Sequence, residues 1–190
     1  MLADYTVLGM QSEMDRRRIE EMGGDPSKVT VLGNLKYDVT GPGRPLDSAL
    51  ARVLGQWTPL WVAASTMAGE EEIILNAFQE LRARLPELKL VLAPRHPERF
   101  DAVELLVRNR KLSCLRRTML QAGGPGDVLL LDSIGELSAV FEYASVVFMG
   151  GTLAPAGGHN VLEPARHHKP IVFGPHMENF RDIAREFPGA

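Results

Sequence analysis

Short, nearly continuous apolar runs alternate along this chain with longer amphipathic ones, and that alternation most narrowly limits what the chain can fold into. The runs Tyr5 to Leu8, Val29 to Leu32, Leu60 to Ala64, Leu88 to Ala93, Val128 to Leu131, Val146 to Met149 and Ile171 to Phe173 have the length and aliphatic content of strands, with Leu112 to Leu115 a weaker member. Several lack polar residues at alternate positions, as strands covered on both faces require. Between them lie helical patterns. Ser12, with Asp15 three residues on, caps a helix running to about Met22, where Gly23-Gly24 stops it. Glu70 to Leu85 sets Ile73, Ile74, Ala77, Phe78 and Leu81 near helical spacing, and puts Glu70, Glu71 and Glu72 at the positive end of the helix dipole. Pro97 to Asn109, Ser133 to Tyr143 (Ser133 as N-cap), Asn160 to His167 and Glu178 to Phe187 complete the series. The alternation predicts βαβ units, hence an α/β fold with a parallel sheet and helices on both faces.

Size and charge limit the alternatives. A chain of 190 residues is read as one domain, or at most one and a half. Its net charge of −3 argues against a general nucleic-acid binder; Arg16–Arg18 and Arg116–Arg117 stay open as local basic spots, the three-residue run reading as a solvated helix face. The lone Cys114 permits no internal disulfide and fits a core position. The first residues, MLADYTVLG, do not have the pattern of a signal peptide, and no apolar run approaches the roughly 18 residues of a membrane span, so these residues are expected to form a soluble unit. Thr40 to Leu46 reads as a connector and Gln121 to Gly126 as a surface loop. The chain stops just after a helix with no closing element, as expected of a piece cut from a longer protein.

Ligands of open parallel sheets bind beyond the carboxyl ends of the strands, so the residues after each strand are the candidates. The run FMGGTLAPAGGHNVLE, Phe148 to Glu163, carries two Gly pairs, His159, and an Asn160–Glu163 pair one helical turn apart. Gly157 and Gly158 lead into a helix start whose free N–H groups suit a phosphate, and Glu163 can accept from two ribose hydroxyls. The same residues also fit a capping pair in a tight loop. Arg95 and His96 follow the Leu88 to Ala93 strand, and an arginine fork suits a phosphate or carboxylate; an ion pair of Arg95 or Arg99 with Glu98 is the plainer reading. Ser133 to Glu136 can touch a base or ribose, or merely cap a helix. Ser65 and Thr66 can hold a phosphate or cap the following helix. Residues 174–180, GPHMENF, can bind or simply pack against the other loops. There is no P-loop, zinc-protease helix, nucleophile elbow or EF-hand, and no metal or cofactor is expected.

In order along the chain, GNLKYD (Gly33 to Asp38), Ser65-Thr66 with Gly69-Glu70-Glu71, PRHPERF (Pro94 to Phe100), DSIGEL (Asp132 to Leu137), GGTLAPAGGHNVLEPA (Gly150 to Ala165) and GPHMENF resemble the signature segments of the 3-deoxy-D-manno-octulosonic acid (Kdo) transferases. The resemblance implies the GT-B architecture, two Rossmann-like domains flanking a cleft, with this chain as the C-terminal, CMP-Kdo-binding one. It implies CMP contacts at Pro94, Arg95, Ile134, Gly135, Glu136, Asn160, Val161, Leu162 and Glu163. Donor phosphate or sugar contacts are expected at Ser65, Thr66, His96, Gly157, Gly158 and His159. Backbone N–H groups after Gly157-Gly158, together with Arg95, would hold the phosphate. It further implies transfer of Kdo to a lipid A precursor at the cytoplasmic face of the bacterial inner membrane. The general base, acceptor site and membrane contact would belong to segments not present here, so these residues are expected to bind CMP without turnover. Two positions depart from the family pattern: Met67 stands where His is usual, and His168 where Gly often closes the helix. The rival readings are another GT-B enzyme, such as a UDP-N-acetylglucosamine 2-epimerase or a MurG-like transferase, and a non-catalytic nucleotide-binding module.

Overall fold

The computed structural model describes residues 2–33, 45–120 and 126–187. Most of the GNLKYD segment, residues 34–38, therefore lies outside the described residues, as do 40–44 of the connector and 121–125 of the surface loop. The chain divides into two compact units, residues 1–41 and 42–190.

In the first unit β1 (Leu8–Met10) and β2 (Val29–Val31) pair in parallel, Leu8 opposite Val29, and are joined by α1 (Glu13–Glu21). Ser12 caps α1 as the sequence predicts: its hydroxyl accepts from the Asp15 N–H at 3.2 Å and donates to the Asp15 carboxylate at 2.7 Å. Gly23, at φ +92°, closes the helix. The first strand begins at Leu8 rather than Tyr5, because it is the pairing with β2 that defines it.

The second unit holds a six-stranded sheet in the order β5-β6-β4-β3-β7-β8, parallel at every pairing. Its strands are β3 (Leu60–Thr66), β4 (Lys89–Pro94), β5 (Cys114–Arg116), β6 (Val128–Leu130), β7 (Val146–Met149) and β8 (Ile171–Phe173). Its helices are α2 (Ser48–Gly55), α3 (Glu70–Arg82), α4 (Phe100–Asn109), α5 (Leu137–Val140), α6 (Leu162–Arg166) and α7 (Arg181–Arg185). Alternate strand residues feed two separate cores. Val62, Val91, Leu129 and Val147 pack with α2, α5, α6 and α7 on one face. Ala63, Leu90, Leu92, Leu130 and Phe148 pack with α3 and α4 on the other. This is the sheet covered on both faces that the uninterrupted apolar runs predict.

Several elements depart from the sequence reading. Helix α2 was not foreseen, although Asp47 caps it through the Ala49 and Leu50 N–H groups and its Leu50, Val53 and Leu54 are buried at helical spacing. The inward face of α3 is Glu71, Ile74, Leu75 and Phe78, while Ile73 and Leu81 are exposed. The helix expected from Ser133 begins only at Leu137, because the Ser133 hydroxyl donates to the Glu136 carboxylate instead of capping a turn. The one expected from Asn160 begins at Leu162. Cys114 is buried, and burial, with the nearby Glu104 carboxylate adding to it, pushes its thiol up to about 11, as befits a core position.

Candidate functional site

The connection after β3 leads to α3 on one face of the sheet, and the connection after β7 leads through Val161 to the opposite face. β3 and β7 are neighbours, so their carboxyl ends mark a topological switch point, the place at which open α/β sheets have their ligand crevice. The loops after β3, β4, β6, β7 and β8 all begin at this side of the parallel sheet.

One side chain ties the two walls of the crevice together. Glu70, at the first position of α3, is 1% exposed. Its Oε1 accepts from the N–H groups of Thr152 and Leu153, both at 2.9 Å, and more weakly from Ala154 at 3.4 Å. Its Oε2 accepts from Gly151 and from Met67 at 2.8 Å each. The loop after β7 is thus a nest of backbone donors wrapped around an internal carboxylate. The sequence places Glu70 in the first turn for the dipole; the structure gives it a larger role. Glu71, also fully buried, receives the forked guanidinium of Arg99 at 2.5 and 3.1 Å and the Thr66 hydroxyl at 2.9 Å. Arg99 is therefore paired with Glu71 and not with Glu98. Thr66 is fully buried and holds this scaffold, so its hydroxyl does not face the crevice. Ser65 occupies an irregularity in the β3–β4 pairing with φ +53°, a conformation uncommon for a residue with a side chain.

After β4, Pro94 is buried, and the Arg95 N–H donates to the Thr66 carbonyl at 3.0 Å. The Arg95 side chain is exposed and, among the described residues, forms no hydrogen bond or ion pair. His96 is exposed, with Nδ1 3.7 Å from Glu98. His159, from the loop after β7, is half-buried against Gly151, and its Nε2 is buried without a hydrogen-bond partner among the described residues. Burial, then Arg95 and His96 close by, hold its imidazole below the ordinary 6.5, against the opposing pull of Glu70. Arg95, His96, Glu70 and His159 thus share one electrostatic neighbourhood at the crevice.

The Gly157–Gly158 pair is placed differently from the sequence reading. Both residues are buried with positive φ, and a side chain at either would strike Asn179 or Met177 of the final loop. The Gly158 N–H is committed to the Gly151 carbonyl at 2.8 Å, and the Asn179 N–H donates to the Gly157 carbonyl at 2.9 Å. Packing of the 174–180 loop is therefore what these glycines permit. At the following helix, Asn160 Oδ1 accepts from the Leu162 N–H at 3.1 Å, and Asn160 Nδ2 lies 3.5 Å from Glu163 Oε1. Asn160 thus closes a turn just before the helix rather than capping it, since Val161 holds the cap position without a side-chain bond; the Asn160 and Glu163 side chains lie together, half-buried. Val161 is buried in the core, with none of the residue exposed.

After β6, the Glu136 carboxylate accepts from Arg117 Nε at 2.9 Å and Nη2 at 2.8 Å. Burial alone would push this carboxyl up; the bonds from Arg117 and Ser133 outweigh it and hold it below the usual carboxylate range. Ile134 is 83% exposed and Gly135, also exposed, has φ +88°. Among the described residues no three His, Cys, Asp or Glu side chains are grouped to hold a metal ion, and no helix is long and apolar enough to cross a membrane.

Comparison with known proteins gives these loops a context. No protein-family model matches the chain. A 3-deoxy-D-manno-octulosonic acid transferase of Haemophilus influenzae is 37% identical over 189 residues, 97% of this chain and 44% of that protein. A protein of the same description from Bordetella pertussis is 35% identical over 182 residues, 93% of this chain and 42% of that protein. Among solved structures, the C-terminal CMP-Kdo binding domain of WaaA from Acinetobacter baumannii superposes with a TM-score of 0.66 at 39% identity, covering 72% of this chain and 74% of that one. The chain spans less than half the length of these two curated relatives.

Proposed function

The chain belongs to the Kdo transferase family, and from that premise we propose that its second unit binds the nucleotide of CMP-Kdo for a glycosyltransferase of lipopolysaccharide synthesis. The observation that carries this reading is Arg95. Arg99, Arg116 and Arg117 are all engaged by carboxylates, whereas among the described residues the Arg95 guanidinium has no partner; it stands at the carboxyl end of β4, beside the switch-point crevice and His159. A planar fork there suits the phosphate of a nucleoside monophosphate.

In this reading Arg95 balances the charge that grows on the phosphate as CMP departs, with the uncharged His159 imidazole offering a further polar atom from the opposite wall. The backbone donors of residues 151–153 already serve Glu70, and the Gly158 N–H serves Gly151, so side chains carry more of the phosphate contact than the glycine pattern alone implies. Glu163, aligned with Asn160, takes the ribose hydroxyls, and the loop of Ile134 and Gly135 takes the cytosine. The remaining candidates, Pro94, Ser65 and His96, border the same space. The lipid A precursor, the general base and the contact with the cytoplasmic face of the inner membrane belong, in this proposal, to parts of the protein outside these residues. The 190-residue chain accordingly binds CMP without turning it over.

Calorimetric titration with CMP, UMP and UDP side by side tests this. CMP should bind preferentially, and Arg95→Ala should weaken it by about 1–3 kcal/mol, the range for losing a hydrogen bond to a charged group. Glu163→Ala should weaken CMP more than deoxy-CMP. Unchanged CMP affinity in Arg95→Ala would remove that residue from the site, and a preference for UDP would move the protein to an epimerase-like or MurG-like reading.

A further inference from the structure

The two residues that end β5 and begin the following turn reach across to the loop after β6. Arg117, 16% exposed at its side chain, forks onto Glu136 and also meets Asp47, the cap of α2. Ser133 donates to the same Glu136 carboxylate from within the loop. At the other end of the loop, Asp132 accepts from the Thr118 N–H at 2.9 Å and the Thr118 hydroxyl at 2.6 Å. Arg116 Nε lies 3.0 Å from Asp132 as well, a charge contact without a well-directed hydrogen bond.

Residues 132–136 are therefore pinned at both ends and untied in the middle. Between the pins stand Ile134, 83% exposed, and Gly135, exposed and in a left-handed conformation. Among the described residues Ile134 is the most exposed of the large apolar side chains, and it stands beside an exposed glycine. That arrangement suits a flat ligand that covers the side chain and meets backbone N–H and C=O groups at its edge. Reading a ring edge by peptide groups works only if those groups are held within about 0.5 Å of their productive positions. The guanidinium that holds Glu136 supplies that constraint while its own side chain is turned to the carboxylates rather than to a ligand.

We infer that Arg117 is a specificity-determining positioning residue: through Glu136 it fixes the Ile134–Gly135 peptide against which the nucleobase is read. This rests on the nucleotide-site reading above.

The test compares the unmutated chain with Arg117→Met and Arg117→Lys by titration with CMP and UMP, and by hydrogen exchange of the amides of residues 131–140. Arg117→Met should lower CMP affinity about tenfold, the equivalent of roughly one well-made hydrogen bond, and UMP affinity less than about twofold. The selectivity ratio therefore collapses, and exchange should quicken over residues 131–140 while residues 151–154 keep their protection. Arg117→Lys retains the charge without the fork and should fall between. Equal loss of CMP and UMP affinity, or unchanged exchange in the loop, overturns the inference; if Arg117→Met does not fold, the Lys variant decides by the same two readouts. Failure of the unmutated chain to prefer CMP sinks the nucleotide-site reading itself, whereas selective CMP binding that survives in Arg117→Met sinks only this inference.

Discussion

Replacing Glu70 by alanine separates two accounts of the same residue. If the glutamates that open α3 merely face the helix dipole, each is worth about 0.3–1 kcal/mol and all three are interchangeable. In the structure they are not. Glu70 is 1% exposed and bonds the N–H groups of Met67, Gly151, Thr152 and Leu153 at 2.8–2.9 Å, whereas Glu72 is exposed. Removing the carboxylate strands the amides of Gly151 and Thr152, which are buried, at about 1–3 kcal/mol each. Met67 and Leu153 lie nearer to solvent and lose less. Relief of the desolvated charge offsets part of this, leaving a net loss of about 3–5 kcal/mol. For a chain of this size that lowers the melting temperature by roughly 6–20 °C. Glu70→Gln keeps one acceptor oxygen but turns an NH2 toward two N–H donors, and should lose about half as much. Glu72→Ala should stay within about 0.5 kcal/mol of the parent. Thermal melts and urea unfolding of the three variants are the assay. A Glu70→Ala protein that melts within about 2 °C of Glu72→Ala would refute the cradle and restore the dipole account.

Two further outcomes follow from the backbone and from burial. His168 sits at φ +54° in the closing turn of α6, with its N–H on the Ala165 carbonyl at 2.9 Å and the Lys169 N–H on Pro164 at 3.4 Å. His168→Gly should stabilise by about 0.5–1 kcal/mol, since relief of the left-handed strain exceeds the added chain entropy; an unchanged or lower urea midpoint counts against it. His159 has a folded-state pKa below 6.5, so as pH falls through 6.5 the unfolded chain takes up a proton that the folded one does not. The stability this residue contributes is present above that pH and declines until the folded pKa is passed. Between about pH 7 and about pH 5.5, His159→Gln should therefore lose less stability than the parent in urea unfolding, and parallel losses would refute the assignment.

How much of this could be read from residues alone differs between levels. The parallel sheet was legible because uninterrupted apolar runs such as Leu90 to Ala93 report burial on both faces, a property written into each strand. The Ser12 cap and the Gly23 stop were legible because their partners lie within five residues. The family was legible because six ordered segments are jointly far more specific than any one. Helix α2 is masked in the sequence although Asp47, Leu50, Val53 and Leu54 carry its pattern, because the Gly- and Pro-rich stretch before it has the composition of a connector. What only tertiary structure decided is which polar groups at the crevice are engaged. Glu70 meets residues 151–154, Glu71 meets Arg99, and Arg117 meets Glu136 and Asp47, across separations of 19 to 84 positions. A carboxylate beside a glycine-rich loop and an arginine after a strand look alike in sequence whether they hold the scaffold or face a ligand. Their roles are fixed by hydrogen bonds between distant segments, and these bonds exist only after the sheet has brought the carboxyl ends of its strands together.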